Sequence, residues 1–515
     1  WSIFSNILVS IYENLCKNYL MLINKNNNST LLYIFLIIHF SIWTLIPTFV
    51  YENLPLDTIE ALVWGNGIEW GNNKHPPLSI FFTELIYSIF KTNNFAYYLL
   101  CQTFILINFI YIYKLSKFFF DEKRTQIFIV FLTSLIFYYS LSSTEFNVNI
   151  CILPFWTSAI YYTFKSVEKN KNKDWALLGL VCALGFLSKY IIAYLFFGII
   201  VFLIFIFAKE KKINFKILIS LFVFIVIISP HILWLIENNF ETIKYAFGRV
   251  AAYSKFYQSL IFFLKQLIFF FILFLLHFIF FKFSFNSKNL FSKKSIFLIC
   301  IFVVPFVLIL ITSIITGSKI RTAWLMPFYS ISCLAITYYF FDLKNKKLFI
   351  LFIFLYLLNP VIFLGSFYSD YTKNRTKDAR EKRVLYEGKR ISEIVQQEWN
   401  KISNKKIMYV IGDEWYGGNL SYHLKDRPYL YIHKDMEFWY ANKDIKSLSE
   451  IMNYGVILIE KDLHEINASF MQYNDKNLFY LKDEKNKIKF FNCKLEKKRL
   501  ENDKLNIFVV YPGCK

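Results

Sequence analysis

Acidic and basic side chains concentrate in residues 56–82, LDTIEALVWGNGIEWGNNKHPPLSIFF, directly after an apolar segment. A carboxylate such as Asp57 or Glu60 can remove a proton from an attacking hydroxyl, or stabilise positive charge on a sugar carbon. Lys74 offers a point charge that can hold a phosphate, and His75 follows it directly. These residue types predict acid-base and phosphate chemistry within one short stretch.

The same residue types also have structural interpretations. Asp57 and Glu60 share one face of a helix, which suits a solvated helix start. Lys74 precedes His-Pro-Pro, a sequence that can simply mark the entry into an interfacial helix. Further along, Asn147 can cap a helix, and Lys189 can extend from a helix end towards water. Both kinds of interpretation stay open from the residues alone.

The composition indicates a membrane protein. Of 515 residues, 56% are hydrophobic and 21% are aromatic, more than is usual in a soluble protein. The net charge of +21 comes from Lys and Arg in short clusters between apolar runs. Such clusters are typical of loops that set membrane orientation and contact anionic lipids. A nucleic-acid partner is therefore not expected.

Apolar stretches of spanning or near-spanning length predict about eleven to thirteen transmembrane helices, and hence a polytopic α-helical membrane protein. The stretches cover 31–50, 96–116, 127–143, 149–165, 175–188, 190–208, 215–235, 259–281, 295–316, 322–341 and 347–366. The segment 78–91 is too short to cross a membrane comfortably. We expect it to lie along the interface.

Short basic loops set the orientation, because Lys and Arg concentrate on the cytoplasmic side. The basic loops are 114–124, 165–174, 209–216, 282–294 and 342–347, and one arrangement makes all of them cytoplasmic. It predicts three parts: a cytoplasmic or interfacial segment (1–30), a transmembrane domain (31–368) with an outer loop (51–77), and an outer C-terminal region (369–515).

The C-terminal region is more polar than the rest of the chain. Strand-like runs at 406–413, 455–462 and 504–511 are separated by helix-like and loop sequence. This pattern predicts a small extracytoplasmic α/β domain.

The predicted topology brings further polar residues to the outer ends of the spans. They are Glu145, Asn147, Asn149, Lys189, Tyr190, His231, Arg249 and Arg321. Basic residues here oppose the usual loop bias, and an Arg can hold a phosphate with two hydrogen bonds. Phosphates at the outer rim of a membrane enzyme usually arrive on lipids, so transfer from a lipid-phosphate donor is predicted. No second His lies at metal-ligand spacing, so the sequence supports neither a divalent metal nor another cofactor.

Taken in order, these motifs resemble the GT-C superfamily of membrane glycosyltransferases. That superfamily includes the lipid A aminoarabinose transferases, the lipopolysaccharide galacturonosyltransferases and, more distantly, the protein O-mannosyltransferases. The outer loop matches the family pattern at Asp57, Trp64, Trp70-Gly71 and His75-Pro76-Pro77-Leu78. Later matches are FNVNICILPFW (146–156), LGFLSKY (184–190) and SPHILWLIENNFETIKYAFGR (229–249). Relatives usually carry Glu directly after the first Asp, where this chain has Thr58.

The resemblance implies an inverting glycosyltransferase of the bacterial inner membrane. The donor would be a sugar on polyprenyl phosphate, and the acceptor a phosphate or sugar hydroxyl of lipid A or lipopolysaccharide on the periplasmic side. Asp57 would be the catalytic carboxylate. Candidate donor-binding residues are Lys74, His75, Lys189, Tyr190, Arg249 and Arg321. Glu60, Glu145, Asn147 and Asn149 would contact the acceptor or support the site.

Three alternatives stay open. A glycosyltransferase of this kind could act on a protein or on another envelope glycan. A transporter or flippase of lipid-linked sugars should carry charges deep within its spans and broken helices, yet charges lie at the rims and the chain has only 15 Gly. A phosphoethanolamine transferase should have an exported domain rich in metal ligands, whereas the seven His here are scattered.

Overall fold

The fold is that of a computed structural model. It describes residues 28–251, 256–285, 291–317, 320–343, 349–374, 383–432, 437–438, 454–460, 468–473, 476–482, 488–492, 495–500 and 505–510. The predicted N-terminal segment, up to residue 27, lies outside these residues.

Most of the described chain is helical. In order, the α-helices are α1 (Asn28–Val50), α2 (Leu56–Gly65), α3 (Leu78–Phe90), α4 (Asn94–Phe119), α5 (Lys123–Ser134), α6 (Val148–Lys169), α7 (Asn172–Ser188), α8 (Ile192–Glu210), α9 (Ile217–Glu237), α10 (Glu241–Ala251), α11 (Phe256–Phe280), α12 (Lys293–Thr316), α13 (Ser332–Phe340), α14 (Phe349–Asn374), α15 (Gly388–Ile402) and α16 (Tyr416–His423). A π-helical turn, Ile299–Val303, interrupts α12, and a 3-10 helix, Thr322–Ile331, leads into α13.

Seven helices are long and apolar enough to cross a membrane, namely α1, α4, α8, α9, α11, α12 and α14. The polytopic helical fold is thus confirmed, although this number, taken over the described residues, is smaller than expected. The predicted spans at 127–143, 149–165, 175–188 and 322–341 also fall on helices, which are shorter, more polar or partly 3-10. Two of these helices are packed inside the bundle, where Trp156 and Trp175 are buried, so less of their surface has to be apolar.

The segment after the outer loop forms a short helix, as predicted. Helix α3 has 13 residues and follows Pro77, which is its N-cap. At about 1.5 Å of rise per residue, it is too short to cross a bilayer. Its position along the interface stays a prediction.

The three predicted strand-like runs become strands of one mixed sheet. In chain order, the strands of the described residues, which belong to more than one sheet, are β1 (Phe281–Phe283), β2 (Phe341–Leu343), β3 (Tyr409–Gly412), β4 (Tyr429–Ile432), β5 (Glu437–Phe438), β6 (Val456–Glu460), β7 (Ala468–Tyr473), β8 (Lys476–Lys482), β9 (Ile488–Asn492), β10 (Leu495–Leu500) and β11 (Leu505–Val510). The sheet has the order β10-β11-β6-β3-β4-β5, with β3 parallel to β4 and β6. Helix α16 follows β3, as expected for an α/β unit, and β7, β8 and β9 form a separate antiparallel sheet.

The α/β domain is docked on residues 51–77 of the helical bundle, which form the predicted outer loop. Leu62 and Trp64 of α2 share an apolar cluster with Trp415 and Leu420 of the domain. The buried side chains of Asn53 and Asn419 are hydrogen-bonded at 2.6 Å across the same contact. The start of α2 is therefore held between the bundle and the domain.

One ion pair fastens this contact. The Arg427 guanidinium donates to both carboxylate oxygens of Glu84 on α3, at 2.7 and 2.6 Å, and to the carbonyl of Leu62 at 3.1 Å. It also lies 3.6 Å from the centre of the Tyr87 ring. The side chains of Arg427 and Glu84 are only 14% and 15% exposed, so the pair is largely shielded from water.

Candidate active site

Asp57 lies in the first turn of α2, at the meeting point of the bundle and the domain. Its carboxylate oxygen Oδ2 accepts a hydrogen bond from Asn147 Nδ2 at 3.2 Å. Its backbone N–H donates to Glu145 Oε1 at 3.0 Å. The Asp57 side chain is nevertheless accessible to solvent. A catalytic carboxylate needs this combination of fixed position and access.

Asn147 combines the structural and the functional interpretations. Its side-chain oxygen accepts from the N–H groups of Asn149 and Ile150, so it caps α6. Its amide nitrogen is then free to face Asp57. The capping requirement of α6 therefore fixes the donor that holds the carboxylate.

Lys189 joins the site from the junction of α7 and α8. Its ammonium donates to the side-chain oxygen of Asn149 and lies 5.5 Å from the centre of the Trp324 ring. Burial of the ammonium lowers the pKa of Lys189 to about 7, and the Asp57 carboxylate opposes this change. Asn149 thus positions Lys189.

The charges around Asp57 act on its pKa in opposite directions. Although the side chain reaches solvent, the surrounding protein raises the pKa of Asp57 by desolvation. The hydrogen bond from Asn147 lowers it, and so do the positive charges of Lys189, Lys74 and Arg383. Three cations therefore favour the ionised carboxylate.

Lys74 is held by a tight turn and by two carboxylates. The side-chain oxygen of Asn72 accepts from the backbone N–H groups of Lys74 and His75, at 2.7 and 2.8 Å. The Lys74 ammonium lies 2.8 Å from Glu414 Oε1 and 3.7 Å from Glu60 Oε1. It thus joins the outer loop to the α/β domain.

Two other carboxyl groups favour their neutral forms near neutral pH. Burial raises the pKa of Glu60 to about 8; Lys74 opposes this, and Glu414 adds to it. Burial also raises the pKa of Glu145 to about 8, with Asp57 adding to the shift. Like charges kept close together in a desolvated region explain both directions.

The second half of the outer loop is anchored to α9. His231 Nδ1 contacts the carbonyl of Trp70, and its Nε2 lies 2.7 Å from the hydroxyl of Tyr190. A Cβ atom on Gly71 would lie 2.3 Å from the Trp234 ring, so only glycine fits there. Tyr190 thus contacts the loop through His231, which serves a structural purpose.

The remaining candidates lie around this centre. The His75 ring makes edge-to-face contacts with the rings of Trp64 and of Tyr245 on α10, with 5.9 and 6.4 Å between the ring centroids. Arg249 belongs to α10, but its side chain lies outside the described part of the chain. Arg321 is exposed. Its backbone carbonyl accepts a hydrogen bond from the backbone N–H of Trp324, whose ring lies beneath the Lys189 ammonium.

Comparisons with known proteins bear on the family and on the fold. The family model described as dolichyl-phosphate-mannose-protein mannosyltransferase matches residues 74–234. Among solved structures, ArnT from Cupriavidus metallidurans, crystallised with undecaprenyl phosphate, is similar with a TM-score of 0.59 at 11% sequence identity. The match covers 94% of this chain and 97% of that one. The resemblance to the GT-C superfamily is confirmed. No curated protein sequence matches the chain.

Sequence reasoning missed two residues of this candidate site. Arg383 and Glu414 come from the C-terminal region, whose composition carries no motif for such a role. Only the docking of the domain places them beside Asp57 and Lys74. Where the chain is described, no group of three or more His, Cys, Asp or Glu side chains could hold a metal ion.

Proposed function

We propose that this protein is an inverting glycosyltransferase that moves a sugar from a polyprenyl-phosphate donor to lipid A or lipopolysaccharide, at the periplasmic face of the bacterial inner membrane. One observation carries the proposal: an accessible carboxylate, Asp57, lies among Lys74, Lys189 and Arg383. The similarity to ArnT, which was crystallised with undecaprenyl phosphate, supports the class of donor.

The reaction is a direct displacement at the anomeric carbon. An acceptor oxygen forms the new bond from the face opposite the phosphate, and the old carbon–oxygen bond breaks with its electron pair on the lipid phosphate. Cations around Asp57 stabilise that departing charge. A hydroxyl acceptor gives its proton to Asp57, whereas a phosphate acceptor needs no base. With a phosphate acceptor, Asp57 stabilises positive charge on the sugar instead.

The protonation of the other acids supports binding of an anionic donor. At pH 7, carboxyl groups with a pKa of about 8 are mostly neutral, so Glu60 and Glu145 add little negative charge. Asp57 accepts a hydrogen bond from Asn147, which favours its ionised form. Burial raises the pKa of Asp57, and Asn147 and the surrounding cations act against that rise.

Envelope lipids analysed by mass spectrometry test the proposal. We expect lipid A or core extracts from cells without the gene to lack one sugar increment, and a wild-type copy to restore it. A copy carrying Asp57→Asn should not. The mass of the increment identifies the sugar class. Unchanged lipid A and core, with a sugar missing from a protein or from another glycan, would exclude the proposed acceptor.

Reporter fusions test the location of the site. A reporter that works only in the periplasm should be active when fused at residue 65, since the distribution of basic loops predicts that residues 51–77 lie outside. A cytoplasmic signal from that fusion would contradict the proposed orientation.

A further inference from the structure

The three cations around Asp57 differ in what already holds them. The Lys74 ammonium is paired with the Glu414 carboxylate at 2.8 Å, and Glu60 Oε1 lies 3.7 Å from it. Lys189 is bound by Asn149, and its pKa of about 7 leaves its ammonium only partly charged at neutral pH. Both lysines thus have reduced capacity to bind an incoming anion.

Arg383, in contrast to the two lysines, is positioned by hydrogen bonds of the next residue, Val384. The carbonyl of Val384 accepts hydrogen bonds from the N–H groups of Glu52 and Asn53, at 3.0 and 3.1 Å. These two residues lie four and three residues before α2 begins at Leu56. These two hydrogen bonds therefore hold the backbone at Arg383 near the start of the helix that carries Asp57.

The Arg383 side chain is exposed, and one of its neighbours is aromatic. Its guanidinium carbon lies 5.6 Å from the centre of the Trp415 ring. The Trp415 ring packs on buried Tyr386, with 5.5 Å between the centroids, so it is itself held in place. A guanidinium beside an aromatic ring keeps its N–H edges available for hydrogen bonds.

The guanidinium also acts on both acids at the start of the site. Its positive charge lowers the pKa of Asp57 and that of Glu145. Together with the backbone contact of Val384, this puts an exposed guanidinium within electrostatic range of the carboxylate proposed to act in catalysis.

We propose that Arg383 binds a phosphate group of a substrate lipid beside Asp57. Its planar guanidinium can give two parallel hydrogen bonds to phosphate oxygens, which a lysine cannot. The phosphate belongs either to the polyprenyl donor or to the acceptor. This inference rests on the proposed function, which it extends by giving the C-terminal region a direct part in substrate binding.

The test compares matched variants of the full-length protein in lipid nanodiscs. Arg383→Gln removes the charge, and Arg383→Lys keeps it without the two-pronged geometry. Arg390→Gln is the control, because Arg390 is also an exposed arginine of the domain and pairs with Glu387. Thermal unfolding confirms that each variant is folded.

Two probes separate the two sources of phosphate. Binding of undecaprenyl phosphate alone reports on the donor side, and binding of lipid A with and without its phosphates reports on the acceptor side. We expect Arg383→Gln to weaken one of them about tenfold or more, with a smaller loss for Arg383→Lys and none for Arg390→Gln.

The outcomes are distinct. A loss with undecaprenyl phosphate assigns Arg383 to the donor, and a loss confined to phosphorylated lipid A assigns it to the acceptor. A change below about twofold with both probes, or an equal loss in Arg390→Gln, overturns the inference. Neither probe requires sugar transfer, so these results are independent of whether the proposed reaction itself is correct.

Discussion

The two sides of the site around Asp57 are built in different ways. The helix-end side (Asn147, Asn149 and Lys189) consists of residues at the ends of α6 and α7. The domain side (Arg383 and Glu414) arrives only when the α/β domain docks on the outer loop. The first side depends on local capping and helix packing, whereas the second depends on a contact between distant parts of the chain. Substitutions on the two sides should therefore have different effects on activity and on stability.

Removing the central carboxylate should have the largest effect, because both sides act through it. For Asp57→Asn we expect turnover to fall about 100- to 10,000-fold, since a positioned acid or base commonly contributes that much, while the donor still binds. Turnover of purified protein and donor binding are measured together. Asp121→Asn, the same substitution in a basic loop, is the control. Near-normal turnover of Asp57→Asn would remove Asp57 from the mechanism.

Breaking the domain contact should come next. In Arg427→Met, Glu84 loses its bidentate partner in a largely shielded position, at an expected cost of about 3 kcal/mol in the free energy of unfolding. We also expect faster hydrogen exchange in α2 and reduced transfer. Lys425→Met changes an exposed lysine two residues away and should have little effect. If exchange in α2 is unaltered, the domain does not hold that helix.

Raising the pH should act on both sides at once. Above pH 7 Lys189 loses its charge, because its pKa is lowered to about 7, and above pH 8 Glu60 and Glu145 become negative, because theirs are raised to about 8. Both changes make the site less positive. Affinity for undecaprenyl phosphate should therefore fall about tenfold between pH 6.5 and 9.

The acids can be separated from the lysine in the same titration. Glu60→Gln should flatten the part of the decline above pH 8 and leave the earlier part in place. A profile that is identical to that of the wild type would show that Glu60 does not titrate in this range.

The smallest effect should come from the ion pair between the domain and the outer loop. Glu414→Gln should cost at most about 1 kcal/mol in the free energy of unfolding, because its side chain is 34% exposed and Glu60 remains as a second partner for Lys74. A double-mutant cycle with Lys74→Met measures the coupling. Glu393→Gln, in an exposed position on α15, is the matched control. A coupling near zero would make this contact incidental.

Much of the fold could be predicted from local sequence patterns. Apolar runs identified the membrane helices because lipid requires each helix to satisfy its own backbone, and length then excluded α3 as a span. The strand-like runs 406–413, 455–462 and 504–511 contain β3, β6 and β11. Seven of the eleven predicted stretches form long apolar helices in the described part of the chain, and the other four fall on helices that are shorter, more polar or partly 3-10.

The sequence by itself determined the helix-end side of the site. The apolar pattern shows where the helices that carry Asn147, Asn149 and Lys189 end. Capping by an Asn and extension of a Lys side chain from a helix end then bring their polar groups to the same end of the bundle. The motif around Asp57 also gave its place in the outer loop.

Only the tertiary structure decided the domain side. Arg383 and Glu414 have no local pattern that marks them, because their positions follow from how apolar side chains such as Trp415 and Leu420 pack on α2. Such packing depends on shape matching between segments far apart in the chain, which residue periodicity does not encode. For the same reason, the structure alone showed that Lys74 is already paired with Glu414 and Glu60, and that Arg383 is the exposed cation beside Asp57.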